Sequence, residues 1–191
     1  MEVALIGFLG VLFGVVVTVL KEWLFKRREE KQKGRYLAIR TSAVLDLFVY
    51  DCAHVVMDDG WSRGARNEHG YLEAQVMPPT LDFENLQGDW HVLPAQLAYR
   101  ILVLPSRLDR ANRYIRGAAD FSDPPDFEEY FDARQTAYAR LGMEASNLAD
   151  DLRQFGRLPA LEQPEWDPMD PIRRRLEDME KAKLPQGSGG I

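Results

Sequence analysis

Asp51, His54, Asp58 and Asp59 form the densest set of potential metal-binding or acid–base groups in the chain. On a helix, His54 and Asp58 stand one turn apart and Asp51 one turn earlier, so two carboxylates and an imidazole share one strip of surface. Such a donor set suits a hard or borderline divalent cation. His69 and His91 complete the shell only if the intervening chain folds back. Against a metal site, helices display polar faces of this kind routinely, Asp58 and Asp59 sit where the helix must stop, and nothing in the sequence orients the ligands from behind. The phosphate-binding GxxxxGK[ST], the nucleophile GxSxG, the zinc-binding HExxH and paired CxxC patterns are all absent. Cys52, the single cysteine, falls on the apolar side of the same helix and reads as a small core residue rather than a nucleophile. No cofactor is expected.

Two arginine features add to the inventory. Arg134 interrupts an otherwise apolar stripe; it is either an ion-pair partner for Asp46 or Asp51 or, the preferred reading, a side chain snorkelling at the stripe's edge. The run Arg173, Arg174 and Arg175 has acidic neighbours, so it reads as a solvated, salt-bridged face before it reads as a membrane or partner contact.

The elements that must position these residues begin with an anchor. From Val3 to Leu20 there is no charged residue, and 13 of the 18 positions are Val, Leu, Ile or Phe. As a helix this run spans about 27 Å, and at roughly −0.3 to −0.6 kcal/mol per residue its large side chains favour insertion into a bilayer by about 4 to 8 kcal/mol. A cleaved signal peptide fits less well, because Glu2 precedes the run without Lys or Arg and no small-x-small site follows Leu20. Lys21, Lys26, Arg27, Arg28, Lys31, Lys33 and Arg35 follow the run, against three glutamates in the same stretch. Cytoplasmic flanks concentrate Lys and Arg, so the expectation is a bacterial inner-membrane protein with its N-terminus outside and its C-terminal domain in the cytoplasm. These seven residues would contact anionic lipid headgroups, with Trp23 at the same level. Gly7, Gly10, Gly14 and Thr18 recur on one side of the span, and Gly10 with Gly14 makes a GxxxG pair suited to close packing with a second copy or a partner membrane helix. The chain carries a net charge of −6. With its basic residues gathered beside the anchor and an acidic remainder, nucleic acid is not an expected partner.

Residues 26–34 read as a basic juxtamembrane helix extension or linker broken at Gly34. A helical domain follows over 35–158. Leu37, Thr41, Val44, Leu45, Phe48, Cys52, Val55 and Val56 recur at steps of three and four and predict a helix from Tyr36 to about Met57. Gly60 to Gln87 predicts a long irregular connection on the surface, with one short strand allowed over Leu72 to Val76. Leu93, Leu97, Ile101 and Leu104 predict a helix that Pro105 ends, and Ser106 caps a short third helix through Ala118. After Asp123-Pro124-Pro125, with a proline in the first turn, the stripe Phe127, Phe131, Tyr138, Leu141, Ala145, Leu148, Leu152 and Phe155 predicts the central helix, closed by Gly156 and Pro159. Residues 159–191 have the composition of a Pro-rich tail, interrupted by one short amphipathic helix capped by Asp170.

Around Gly88-Asp89-Trp90, Leu97-Ala98-Tyr99-Arg100-Ile101-Leu102 and Pro124-Pro125 with Arg134-Gln135, the chain resembles uncharacterised bacterial single-pass membrane proteins built from an anchor and a helical domain. The resemblance covers most of the chain and implies an origin without implying an activity. The fold expected is therefore mainly α: residues 1–25 as a transmembrane anchor, then a three- to four-helix bundle with a long irregular loop. The leading function is a membrane-tethered interaction or scaffold module, because an anchor, a basic collar and a bundle need only binding to make sense. The alternatives are a small membrane-bound metal-dependent enzyme using Asp51, His54 and Asp58, and a phage lysis spanin. The spanin reading needs the domain on the outer side and is disfavoured by the charge flank.

Overall fold

A computed structural model describes residues 2–61, 64–83, 86, 88–161 and 166–183, with the side chains of 2–16 and 19 outside that description. Four helices account for most of it: α1 (Glu2–Met57), α2 (Ala95–Ala119), α3 (Glu128–Gly156) and α4 (Met169–Lys183), with a single 3-10 turn at Trp90–Val92 before α2. The mainly helical bundle expected from the stripes is present. The expected transmembrane run and its Gly7, Gly10 and Gly14 face lie largely outside the described side chains. Among the described residues no helix is long and apolar enough to cross a membrane.

The first difference from the sequence reading is that α1 does not break at Gly34. It is one helix of 56 residues, about 84 Å long. Every described side chain from Val17 to Lys33 is exposed. From Gly34 onward Leu37, Ala38, Thr41, Leu45, Phe48 and Cys52 are buried on one side. Gly34 is itself buried, and a Cβ there would stand 3.2 Å from the Phe155 ring. This glycine lets α3 approach and does not interrupt the helix.

The same close approach sets the register of α1 against α3. A Cβ at Gly142 would lie 3.1 Å from Cys52 Cβ, and one at Gly156 would lie 3.2 Å from Ala38 Cβ. Both contacts step fourteen residues along each helix in opposite directions, so the two helices run antiparallel over about 21 Å. Ala53, Ala145 and Ala149 are fully buried as well, and Leu45, Leu148 and Leu152 are enclosed with them. Gly156 thus remains helical, and Arg157 takes the left-handed turn (φ 50°) that ends α3, while the Leu158 N–H donates to the Arg153 carbonyl at 2.9 Å.

Pro105 does not end α2. The proline lacks the N–H that would reach the Ile101 carbonyl, a cost of about 3 kcal/mol in a helix interior. Ile101 and Leu104 before it and Leu108 and Ile115 after it are all buried in the bundle. At about 1.5 to 3 kcal/mol for each enclosed side chain, burial of the continuous stripe outweighs the lost bond, and the two expected helices are one.

The other two corrections concern segments expected at the surface. In the 60–87 connection no strand forms among the described residues, and Leu81, Phe83 and Leu86 turn into the core. The helix expected in the tail is a bundle member: Ile172 is fully buried and Met169 nearly so. Its start is held by Asp167, which accepts from the Met169 N–H at 2.9 Å, three residues before the expected cap at Asp170. Similarly α3 begins at Glu128, after Pro124 and Pro125 have formed a turn that leaves Phe127 left-handed (φ 51°).

Candidate functional site

The polar centre of the bundle lies where α1 ends. Asp58 is the first residue beyond α1 and is buried. Its Oδ1 accepts from the Gly60 N–H at 3.1 Å. Its Oδ2 accepts from the N–H groups of Gln75 and Val76, each at 2.9 Å, and from Arg134 Nη1 at 2.9 Å. Arg134 Nη2 also donates to the Val76 carbonyl. From the other side, Gln135 Nε2 donates to the Asp58 carbonyl at 3.0 Å. The two charged side chains are 2% and 1% exposed, so the pair is desolvated; the carboxylate accepts four hydrogen bonds, while Arg134 Nε is buried without a partner among the described residues.

This arrangement is a clip. It ties both ends of an irregular segment, Gly60 and Val76, to the middle of α3 through one carboxylate. Arg134 lies neither at the stripe's edge, as its place among apolar residues predicts, nor beside Asp46 or Asp51. Asp46 pairs with Arg153, whose side chain is only 12% exposed, and Arg134 is enclosed with Asp58. The signal present in the sequence was an arginine inside an apolar stripe; its partner was 76 residues away, which periodicity cannot reveal.

Gly60 makes the turn that returns the chain to this clip. Its φ of +82° lies in the left-handed region, and a Cβ would come within 2.4 Å of Phe131 Cζ. We therefore expect Gly60→Ala to cost about 1 to 3 kcal/mol. Gly64 shares the positive φ but a Cβ there meets no atom within 4 Å, so Gly64→Ala should cost about 1 kcal/mol or less. Denaturant melts of the two variants separate the clash from the backbone strain; equal losses would mean that Phe131 yields freely.

The same geometry withdraws Asp58 from the other metal candidates. The oxygens of Asp58 are taken by the clip. His54 forms a three-ring cluster with Tyr50, 4.6 Å away, and Trp166, 5.3 Å away, and those two rings also meet at 5.3 Å. Asp51 is half-buried and shares with His54 a shallow concavity walled by Val76, Met77 and Pro78. His69 is exposed beside Glu68, and His91 is exposed with its ring 2.9 Å from Asp89; the His91 backbone N–H, donating to Asp89 Oδ1 at 3.0 Å, and then that ring contact hold the Asp89 carboxyl below its usual range. Among the described residues no group of three His, Cys, Asp or Glu side chains converges to hold a metal. Cys52 is fully buried, and desolvation pushes its thiol well above the usual range, which leaves it without nucleophilic character at neutral pH. Burial also pushes the Tyr138 phenol up to about 12, with its hydroxyl donating to Asn112 Oδ1 at 2.6 Å.

The basic collar of Lys21, Lys26, Arg27, Arg28, Lys31, Lys33 and Arg35 is exposed along α1. Arg27 lies over the Trp23 ring at 5.2 Å and Lys21 over the Phe25 ring at 5.8 Å, and both rings are more than half exposed. Thr18 is exposed on the same helix. No family model, curated protein or solved structure matches this chain.

Proposed function

We propose that the chain is a membrane-tethered interaction or scaffold module, anchored by Val3 to Leu20 with its N-terminus outside and its helical domain in the cytoplasm. The observation that carries this reading is the unbroken α1, in which an apolar run, a basic aromatic collar and a core-facing helix of the bundle follow one another without a hinge. An exposed helical stretch from Lys21 to Lys33, about 18 Å long, would hold the domain at a fixed distance and angle from the headgroups. The collar's charges favour an anionic leaflet by about 1 kcal/mol per Lys or Arg near the surface. The Gly7, Gly10, Gly14 and Thr18 face supports packing with a second copy or a partner helix within the bilayer. The metal-dependent alternative draws no support from Asp58, whose oxygens the clip engages.

A reporter active only in the cytoplasm, fused after Ile191, should be active, and exchanging the collar's lysines and arginines for glutamine should reduce that activity. Activity of a periplasm-only reporter at the same position would reverse the topology and reopen the spanin reading. Recovery of the chain in the soluble fraction after lysis would remove the anchor.

A further inference from the structure

An open groove of about 790 Å³ lies between α2, α3 and α4. Its floor includes Ala111, Ala137, Leu141 and Met179; its rims carry Arg107 and Arg110 from α2, Arg140 from α3 and Arg175 from α4, with Asp132 of α3 and Asp178 of α4, the latter paired with Lys181, as the two acidic residues beside them. Arg107 is engaged by Glu144 and Arg175 by Asp132. Arg110 and Arg140 are exposed and have no hydrogen-bond or ion-pair partner among the described residues. This basic rim stands in a chain of net charge −6. The α2 wall from Arg107 to Tyr114 is about 11 Å long, two turns of a helix, and alanines on the floor allow a backbone to come close.

We infer that this groove docks an acidic amphipathic helix of a partner protein, its apolar side on the alanine and methionine floor and its carboxylates on Arg110 and Arg140. The inference rests on the interaction-module reading and names the surface and chemistry of the interaction. Charge complementarity selects the occupant: two unpaired guanidiniums flank an apolar strip, so a carboxylate on either side of an apolar helix face meets a bidentate donor. The adjoining concavity fixes the extent of that match, because Asp126, Glu128 and Glu129 line it and repel further acidic residues. A partner must therefore be acidic over about two turns and neutral or basic beyond them.

The test uses the full chain in phosphatidylcholine nanodiscs and a fluorescent amphipathic peptide of roughly fourteen residues, leucine on one face and glutamate beside it. Its lysine-flanked twin is the control. The glutamate peptide should bind about tenfold or more tighter than the lysine peptide, and the paired change R110E/R140E should weaken it by about the same factor without moving the melting midpoint. Equal affinity for both peptides, binding of neither, or no response to R110E/R140E would overturn the docking site. A wild-type dimer by sedimentation that R110E/R140E makes monomeric would overturn it too, by assigning the groove to a second copy. Purification of both forms from native membranes separates the two readings: a protein held equally by both leaves the scaffold standing and removes the groove, and nothing held by the wild type removes the scaffold alone.

Discussion

Asp58→Ala should lose about 3 to 5 kcal/mol of folding stability, the range for stranding one member of a buried ion pair. The substitution leaves the Arg134 charge enclosed with a single carbonyl partner, and it strips the acceptor from the N–H groups of Gly60, Gln75 and Val76. An ordinary buried salt bridge can often be replaced by two apolar residues at little cost, whereas this one cannot. The double change Asp58→Leu with Arg134→Met should remain destabilised by at least about 1 to 3 kcal/mol, because the backbone donors stay buried and unsatisfied. Chemical denaturation of the full chain in mild detergent, followed by tryptophan fluorescence, supplies both numbers. A loss below about 1 kcal/mol for Asp58→Ala would show that water reaches the clip.

Leu148→Ala should cost about 2 to 5 kcal/mol, and Leu141→Ala should fall in the same range near its lower end. Leu148 is fully enclosed and Leu141 is 5% exposed, both on the α3 face that meets α1 or α2 and α4. Truncation of Leu148 leaves a void that rigid neighbouring helices cannot close, whereas Leu141 also borders the open groove and its loss is smaller; either is a large part of the roughly 5 to 15 kcal/mol typical of a domain. Asp150→Ala, on the opposite side, should stay within about 0.5 kcal/mol, since its side chain is 65% exposed. Arg153, three residues on, is mostly covered and joins α3 to Asp46 of α1. Its truncation should therefore cost more than that of Asp150. Equal, small effects at Leu148 and Asp150 in the same denaturant series would mean that the stripe is not a core face.

Apolar periodicity carried much of this architecture because each helix buries one side, and a stripe of three- and four-residue steps is the direct imprint of that burial. Leu37 to Val56 on α1, Leu97 to Leu104 in the first half of α2 and Phe131 to Leu152 on α3 were legible for that reason, as was Cys52 as a core residue. The insertion and orientation expected of the run Val3 to Leu20 and its collar rest on composition alone, on hydropathy and on which flank holds Lys and Arg, and among the described residues no helix is long and apolar enough to cross a membrane.

What the sequence left open was decided by groups far apart in it. Whether Gly34 breaks a helix or admits a neighbour depends on Phe155 standing over it, and whether Pro105 ends a helix depends on the burial available on both sides. The partner of Arg134 depends on where α1 stops and how the 60–87 segment returns, because Asp58 becomes an acceptor for Gln75 and Val76 only after the loop has folded. The same holds for the metal candidates: helical spacing put Asp51, His54 and Asp58 on one strip, but the Asp58 carboxylate turned to the backbone amides and His54 to the Trp166 ring. Local propensity fixes which residues share a face, and only the packed chain fixes which face meets which, since a long-range hydrogen bond has no period and leaves no mark on its neighbours in the sequence.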